Sequence, residues 1–141
     1  MIIENGYRLI DTAKIYETEE IIGEVLSEIF AEGLIKREDL FITTKLWPSD
    51  KNKVEETLRS SLKKLRLEYV DLYLLHWMTP IIDWSDPNKL KFSKETPNHK
   101  VWAEMERMVK IGLTKNIGVS NCGTQMLMDM MTYAEIPPVV N

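Results

Sequence analysis

Short apolar runs and longer amphipathic segments alternate along the chain. Four runs rich in Ile, Val, Leu, Tyr and Phe have the length and composition of buried strands, and they span residues 7–11, 40–45, 70–76 and 116–121. The last four residues, 138–141 (PVVN), predict the start of a fifth strand. Between the runs, apolar residues recur at three- and four-residue spacing, which predicts helices. Strands that alternate with helices in this way indicate βαβ units and a parallel sheet.

Capping residues predict where the helices begin and end. Thr18 is expected to cap the first helix and Gly33 to end it. Ser49 or Asp50 is expected to cap the second helix, and Gly112 to close the third. These positions leave room for one helix after each strand.

The second half of the chain is less regular. Residues 124–134 (TQMLMDMMTYA) predict a fourth helix that ends before Pro137, and the helical spacing of its methionines places them in the core. Residues 78–99 are polar and contain three prolines, so they are expected to form a long loop after the third strand. Loops of that length often carry function.

Two architectures fit this order of elements: an open doubly wound sheet and a (β/α)8 barrel. An open dinucleotide-binding sheet would normally carry a glycine-rich turn after an early strand. The early turns read DTAKIYE (11–17) and KLWPSD (45–50), and neither contains G-x-G-x-x-G. The pattern therefore favours the barrel, an α/β fold with parallel strands.

Composition narrows the possible partners. The 141 residues are 44% apolar and 28% charged, which is typical of a globular domain, and the net charge of −4 includes no basic block. Neither nucleic acid nor an anionic membrane is expected as a partner, and no apolar run has the length of a spanning helix. The first residues lack the features of a signal peptide. The single cysteine, Cys122, cannot form an internal disulfide, so a reducing, cytoplasmic location is expected.

Polar residues stand at the C-terminal ends of all four predicted strands. They are Asp11, Lys45, His76 and the pair Ser120 and Asn121. Tyr16 lies five residues beyond Asp11. In a barrel these strand ends converge on one mouth, where active sites form. Each residue alone has an ordinary structural explanation, but their coincidence at equivalent positions predicts a site.

The chemistry of this set suits protonation of a carbonyl oxygen. A free tyrosine phenol has a pKa of about 10, and a neighbouring ammonium lowers such a pKa by favouring the phenolate. Asp11 would hold Lys45 charged and oriented, and His76 would hydrogen-bond to a substrate oxygen or share in its protonation. A hydride must come from another molecule, and the hydroxyl of Ser120 and the amide of Asn121 suit a carboxamide.

Four dispersed segments resemble the aldo-keto reductases, in the same order and at fitting separations. They are GYRLIDTAKIYETEE (6–20), TTKLW (43–47), DLYLLHW (71–77) and GLTKNIGVSN (112–121). The resemblance implies a (β/α)8 barrel that reduces aldehydes or ketones with NADPH, NADH being possible. It implies no metal.

The same resemblance assigns roles to individual residues. Asp11, Tyr16, Lys45 and His76 match the catalytic tetrad, with Tyr16 as the general acid. Cofactor contacts are implied for Asp11, Lys45, His76, Ser120 and Asn121, the last two holding the nicotinamide carboxamide. A substrate pocket is implied for Tyr16, Trp47, His76 and Trp77, although from the residues alone the two tryptophans equally suit a cap over the barrel.

Some features depart from the family pattern. Met78 stands where many members have proline, Cys122 where many have phenylalanine, and Thr18 where asparagine is common. A complete barrel takes about 250 residues, so residues 1–141 are expected to be one incomplete barrel domain, from the second strand to the start of the sixth. Open sheet edges would invite self-association.

Two other functions fit part of the pattern. The chain would act as a catalytically inactive binding or regulatory subunit if the segments that hold the cofactor phosphate in the family are missing. Alternatively, Lys45 would serve as a base or Schiff-base amine in a different barrel enzyme.

Overall fold

A sheet of four parallel strands forms the centre of the molecule. The computed structural model describes residues 3–79, 81–83, 85, 86, 89 and 91–141. In chain order the elements are β1 (Leu9–Asp11), α1 (Glu19–Ala31), β2 (Phe41–Leu46), α2 (Val54–Leu65), β3 (Val70–Leu75), β4 (Ile81–Asp83), β5 (Lys91–Phe92), α3 (Asn98–Lys110), β6 (Thr114–Val119) and α4 (Thr124–Met130). The order in the main sheet is β1-β2-β3-β6, with all neighbours parallel. The four predicted strands are confirmed, with bounds shifted by up to two residues.

The register of β2 against β3 decides which side chains share a face of the sheet. Thr44 pairs with Tyr73, and Lys45 pairs with Leu74. Because successive side chains of a strand point to opposite faces, Thr44 and Tyr73 lie on one face and Lys45 on the other.

Amphipathic helices bury the apolar core against the sheet. Leu58 and Leu65 of α2 and Met105 of α3 are fully buried. Trp102 of α3 is also buried, and its indole N–H donates to the carbonyl of Ile136 at 3.0 Å. In the part of the chain that the structure describes, no helix has the length and apolar character needed to cross a bilayer.

The predicted helix ends are confirmed at the two glycines. Gly33 and Gly112 follow α1 and α3 and have φ angles of +68° and +77°. In this left-handed region a side chain is strained. The glycines therefore end both helices where the sequence places them.

The predicted N-terminal cap has the right position at α1, where Thr18 is the N-cap residue but forms no capping bond, and the wrong position at α2. Thr18 directly precedes α1, but its hydroxyl contacts the hydroxyl of Thr12 at 3.0 Å and caps no backbone N–H. Ser49 and Asp50 belong to a separate 3-10 turn, Pro48–Asp50, and α2 begins only at Val54. The chain uses these residues to turn from the sheet toward α2.

The predicted loop 78–99 contains a short antiparallel hairpin. Strand β4 pairs with β5, and Lys91 forms an ion pair with Asp83 at 2.8 Å. The interpretation as an irregular loop is therefore wrong for these residues. Pro80, Trp84, Pro87, Asn88 and Leu90 of the same segment lie outside the described residues.

The C-terminal segment differs from prediction in two ways. Helix α4 ends at Met130, and Met126, Met128 and Met131 are exposed. The methionines are therefore not core residues, apart from the buried Met130. Residues 138–141 form no strand, but two backbone hydrogen bonds, from Val139 to Ile117 and from Val119 to Val140, tie them beside β6.

Candidate active site

The ammonium of Lys45 is the centre of the site. It donates to Asp11 Oδ2 at 2.8 Å, to the backbone carbonyl of Thr12 at 3.0 Å and to Tyr16 Oη at 3.2 Å. The Lys45 side chain is 6% exposed, whereas that of Asp11 is 49% exposed. The buried ammonium of Lys45 is therefore paired with the more exposed carboxylate of Asp11, and one of its N–H groups points at the phenol of Tyr16.

A single turn after β1 positions Tyr16. The 3-10 turn Lys14–Tyr16 follows the strand almost directly, and Glu17 closes it in the left-handed region with a φ of 58°. A non-glycine residue in this conformation stores strain, which is common at functional sites. Tyr16 remains 47% exposed, so part of the residue is open to solvent.

His76 follows β3 directly and completes the predicted set. Its side chain is buried, and its ring lies edge-on to Tyr16 at 5.8 Å and to Trp47 at 5.1 Å. Burial lowers the pKa of His76, and the charge of Lys45 lowers it further, against a smaller opposing effect of Asp11. His76 is therefore neutral near pH 7, with one N–H to donate.

This lowered pKa predicts a pH dependence of stability. The unfolded chain binds a proton on His76 near its ordinary pKa of about 6.5, where the folded chain does not. The free energy of unfolding should therefore fall as the pH drops below about 6.5. Urea unfolding at several pH values should reveal this slope, and His76→Gln should reduce it. His99→Gln, at the exposed second histidine, should leave the slope unchanged; equal slopes in wild type and His76→Gln would contradict the assignment.

Ser120 and Asn121 lie at the end of β6, beside His76. Asn121 Nδ2 donates to the backbone carbonyl of His76 at 2.9 Å and to Ser120 Oγ at 3.1 Å. Asn121 has a φ of 53°, a conformation that asparagine tolerates better than most residues. These hydrogen bonds hold Ser120 and Asn121 next to His76, at the C-terminal end of β3.

The two tryptophans lie after the ends of two neighbouring strands, Trp47 directly after β2 and Trp77 directly after His76. Trp47 contacts the His76 ring, so it lies at the site. Trp77 follows His76 directly and is half-buried. Trp47 therefore contacts one of the four predicted residues, His76. Trp77 is the next residue after His76 in the sequence.

Met78 and Cys122, the two residues that differ from the family pattern after β3 and β6, contact each other. The thiol of Cys122 lies 3.1 Å from the sulfur of Met78, and both residues are buried. Burial raises the pKa of the Cys122 thiol, which suits a packing role.

Sequence reasoning missed two buried polar residues, Glu19 and Lys51. Glu19 is 1% exposed and accepts a hydrogen bond from Thr44, whereas the acidic run around it resembles an exposed helix start. Lys51 donates to the Thr79 carbonyl at 2.6 Å, and burial lowers its pKa to about 8. No sequence signal marks either residue as buried. Within the described residues, no group of three His, Cys, Asp or Glu side chains is arranged to hold a metal.

Comparisons with known proteins agree on one family. A family model described as "Aldo/keto reductase family" matches residues 1–141. Aldose reductase C of Dictyostelium discoideum is 43% identical over 154 aligned positions, which cover 99% of this chain and 47% of that protein. The NAD(P)H-dependent 6'-deoxychalcone synthase of Glycine max is 44% identical, covering 99% of this chain and 45% of that protein. The chain spans about half the length of the curated relatives it matches.

Solved structures give the same result. The aldose reductase of Giardia lamblia superposes with a TM-score of 0.89 at 37% identity, over 99% of this chain and 49% of that one. An aldo-keto reductase of the silkworm Bombyx mori, solved in complex with NADPH, superposes with a TM-score of 0.87 at 41% identity, over 99% of this chain and 41% of that one. The sheet and its helices are therefore part of a (β/α)8 barrel. Since the family model matches the whole chain, this protein belongs to the aldo/keto reductase family.

Proposed function

We propose that this chain carries the tetrad of an NADPH-dependent carbonyl reductase that converts aldehydes or ketones to alcohols. The observation that supports this most is the hydrogen bonding of Lys45. Its N–H groups are donated to Asp11, Thr12 and Tyr16, so the phenol oxygen accepts from the ammonium. The phenol's own O–H is then directed away from Lys45, toward a bound substrate.

The residues at the strand ends suit a nicotinamide. A serine hydroxyl and an asparagine amide each donate and accept hydrogen bonds, which matches a carboxamide. Ser120 and Asn121 are fixed next to His76, and Asp11 and Lys45 lie within the same tetrad. When bound, NADPH supplies the hydride that adds to the carbonyl carbon. The names of the relatives support NADPH, with NADH as the alternative that binding titrations distinguish.

The tetrad then handles the charge and the proton. As the carbonyl carbon gains the hydride, negative charge develops on its oxygen. The O–H bond of Tyr16 breaks, its proton moves to that oxygen and the electron pair stays on the phenolate, next to the ammonium of Lys45. Water then returns a proton to Tyr16.

His76 would orient the carbonyl. Its Nδ1 is buried without a hydrogen-bond partner in the described part of the chain. An N–H buried without an acceptor costs more than an unpaired lone pair, so the proton is assigned to Nε2. That N–H donates to the substrate oxygen, and Trp47 and Trp77 form apolar walls around the carbon skeleton.

Organisation and assembly form the second part of the proposal. Residues 1–141 act as one incomplete barrel domain, in the cytosol, and the exposed edge of the sheet pairs with another copy of the chain. In the 141-residue chain β1 is an edge strand of the main sheet, and an open edge strand is a template for pairing. Sedimentation equilibrium supports this if the chain dimerises and contradicts it if the chain remains monomeric at all concentrations.

Activity is tested on two proteins. One is the 141-residue chain, and the other is the chain joined to the C-terminal half of the Dictyostelium relative. NADPH binding is followed by nucleotide fluorescence, and reduction of an aldehyde and ketone panel by loss of NADPH absorbance. Reduction by either protein supports the proposal. Binding without alcohol formation in both would favour the catalytically inactive binding subunit, and neither binding nor reduction by folded proteins would refute the cofactor assignment.

A further inference from the structure

A carboxylate outside the tetrad is buried between the sheet and the first helix. Glu19 is the first residue of α1 and is only 1% exposed. A carboxylate near a helix N-terminus gains from the helix dipole, but an exposed one gains this as well. The dipole therefore does not explain why Glu19 is inside the protein.

The position of Glu19 joins two parts of the tetrad. Thr44 Oγ1 donates to Glu19 Oε1 at 2.7 Å in a buried hydrogen bond. Thr44 directly precedes Lys45 on β2, and Glu19 lies three residues beyond Tyr16. The bond thus connects the strand that carries the ammonium to the segment that carries the phenol.

The buried pair of Glu19 and Thr44 makes the fold less stable than an apolar pair at the same positions would. Glu19 Oε2 and the Tyr73 hydroxyl are buried without hydrogen-bond partners among the described residues. Burial raises the pKa of Tyr73 strongly, and the negative charges of Asp50 and Glu19 add to the shift. A buried carboxylate with one unpaired oxygen is expensive, so packing alone gives no reason to keep it.

We propose that Glu19 is a positioning residue, whose hydrogen bond to Thr44 sets the separation between the Tyr16 phenol and the Lys45 ammonium. The catalytic part of this inference rests on the proposed carbonyl reduction, whereas the geometric part does not. A bond from a carboxylate to a hydroxyl is short and directional, so it fixes the start of α1 more tightly than apolar contact does.

Two further side-chain bonds hold the same segment, and both are only partly buried, whereas a buried bond from Lys45 to the backbone carbonyl of Thr12 holds the beginning of the segment. Thr12 Oγ1 contacts Thr18 Oγ1 at 3.0 Å, and Lys14 forms an ion pair with Asp50 at 2.8 Å. Water competes for partly buried bonds. Beyond Tyr16, the buried bond of Glu19 is therefore the one expected to fix the start of α1 and, with it, the position of the Tyr16 phenol.

The test replaces both partners by apolar side chains of similar shape, Glu19→Leu with Thr44→Val. Such a double replacement removes the bond without leaving a buried charge unpaired, so the chain should fold with a denaturation midpoint at least as high as that of the wild type. In the wild type, the Lys45 ammonium lies 4.7 Å from the centre of the Tyr16 ring, which gives a nuclear Overhauser contact between the two side chains. We expect the folded double variant to lose most of that cross-peak.

Activity adds a second readout. The double variant is made in the 141-residue chain or in the joined protein, according to which of them reduces carbonyls. We expect its kcat to be about 10-fold lower, because a small misplacement of a catalytic group is costly. Its affinity for NADPH should be unchanged. Glu20→Leu, on the exposed side of the same turn, should leave the cross-peak and kcat as in the wild type. A full cross-peak in the folded double variant would overturn the inference.

A second pair of variants decides the question if the double variant does not fold. Thr44→Ser keeps the hydroxyl donor and should keep the Tyr16–Lys45 cross-peak, whereas Thr44→Val should weaken it. Equal cross-peaks in both would refute the positioning role. The cross-peak is measured without cofactor or substrate. An absence of carbonyl reduction in the wild type would therefore refute the proposed function without affecting the test of the positioning role of Glu19.

Discussion

Tyr16→Phe should lower kcat for carbonyl reduction by about 10²–10⁴-fold, the usual contribution of a general acid. The substitution removes the phenol O–H that we assign as the proton donor and leaves the ring and the turn Lys14–Tyr16 in place. NADPH affinity should stay within about 2-fold of the wild type, because the lost interaction acts in the transition state. Steady-state kinetics and nucleotide fluorescence measure the two quantities on the same protein.

Tyr7→Phe is the matched control for this variant. Tyr7 is 63% exposed and precedes β1, so loss of its hydroxyl should leave kcat unchanged. An unaltered kcat in Tyr16→Phe would show that another group donates the proton. An equal loss in Tyr7→Phe would mean that the assay reports a general disturbance of the fold.

Gly23→Ala should destabilise the fold by about 3 kcal/mol, the upper part of the range for overpacking. A Cβ at Gly23 would collide with the backbone carbonyl oxygen of Lys64 and would lie 2.8 Å from the carbonyl carbon of Leu65. Neither backbone atom can rotate away as a side chain would, so α1 must move off α2. The gain of about 1 kcal/mol from alanine's higher helix propensity is too small to offset this.

Gly123→Ala is the comparison for that prediction. Gly123 has a φ of −70°, and a Cβ added there would have no other heavy atom within 4 Å beyond its chain neighbours. We expect a change in the free energy of unfolding of less than about 1 kcal/mol, the cost of losing glycine before a helix. Urea unfolding of both variants measures the difference, and equal stability of Gly23→Ala and the wild type would contradict the close approach of α1 to α2.

The parallel sheet and its order of helices could be predicted because each buried strand is a short apolar run. The hairpin of β4 and β5 could not, since its strands are three and two residues long and lie in a polar, proline-rich segment. The start of α1 was placed correctly after Thr18, but the capping hydrogen bond was not formed, because the side chain has another partner. The Thr18 hydroxyl contacts Thr12, a neighbour that helical spacing does not reveal.

The proximity of Asp11, Lys45 and His76 follows from parallel strands, whose C-terminal ends meet at one edge of the sheet. Glu19 could not be found in this way. Its burial depends on how the start of α1 packs on β2, and an acidic residue at that position resembles an exposed helix start. The exposed methionines of α4 reflect the same limit, because spacing defines a helix face without saying what packs against it.

The alternative chemistry at Lys45 has a poor geometric basis. A Schiff base or a general base requires a free amine, yet Lys45 donates hydrogen bonds to Asp11, Thr12 and Tyr16. Borohydride in the presence of a carbonyl substrate should therefore trap no adduct on Lys45. A covalent adduct identified there by mass spectrometry would favour an isomerase or aldolase.

The most direct test of the proposed reduction follows deuterium from C4 of the NADPH nicotinamide into the product, with the wild type and Tyr16→Phe assayed side by side. The proposed mechanism predicts an alcohol that carries deuterium on the former carbonyl carbon, formed by the wild type and almost absent with Tyr16→Phe. Alcohol without deuterium, or equal deuterium transfer by both proteins, would contradict hydride transfer with Tyr16 as the acid.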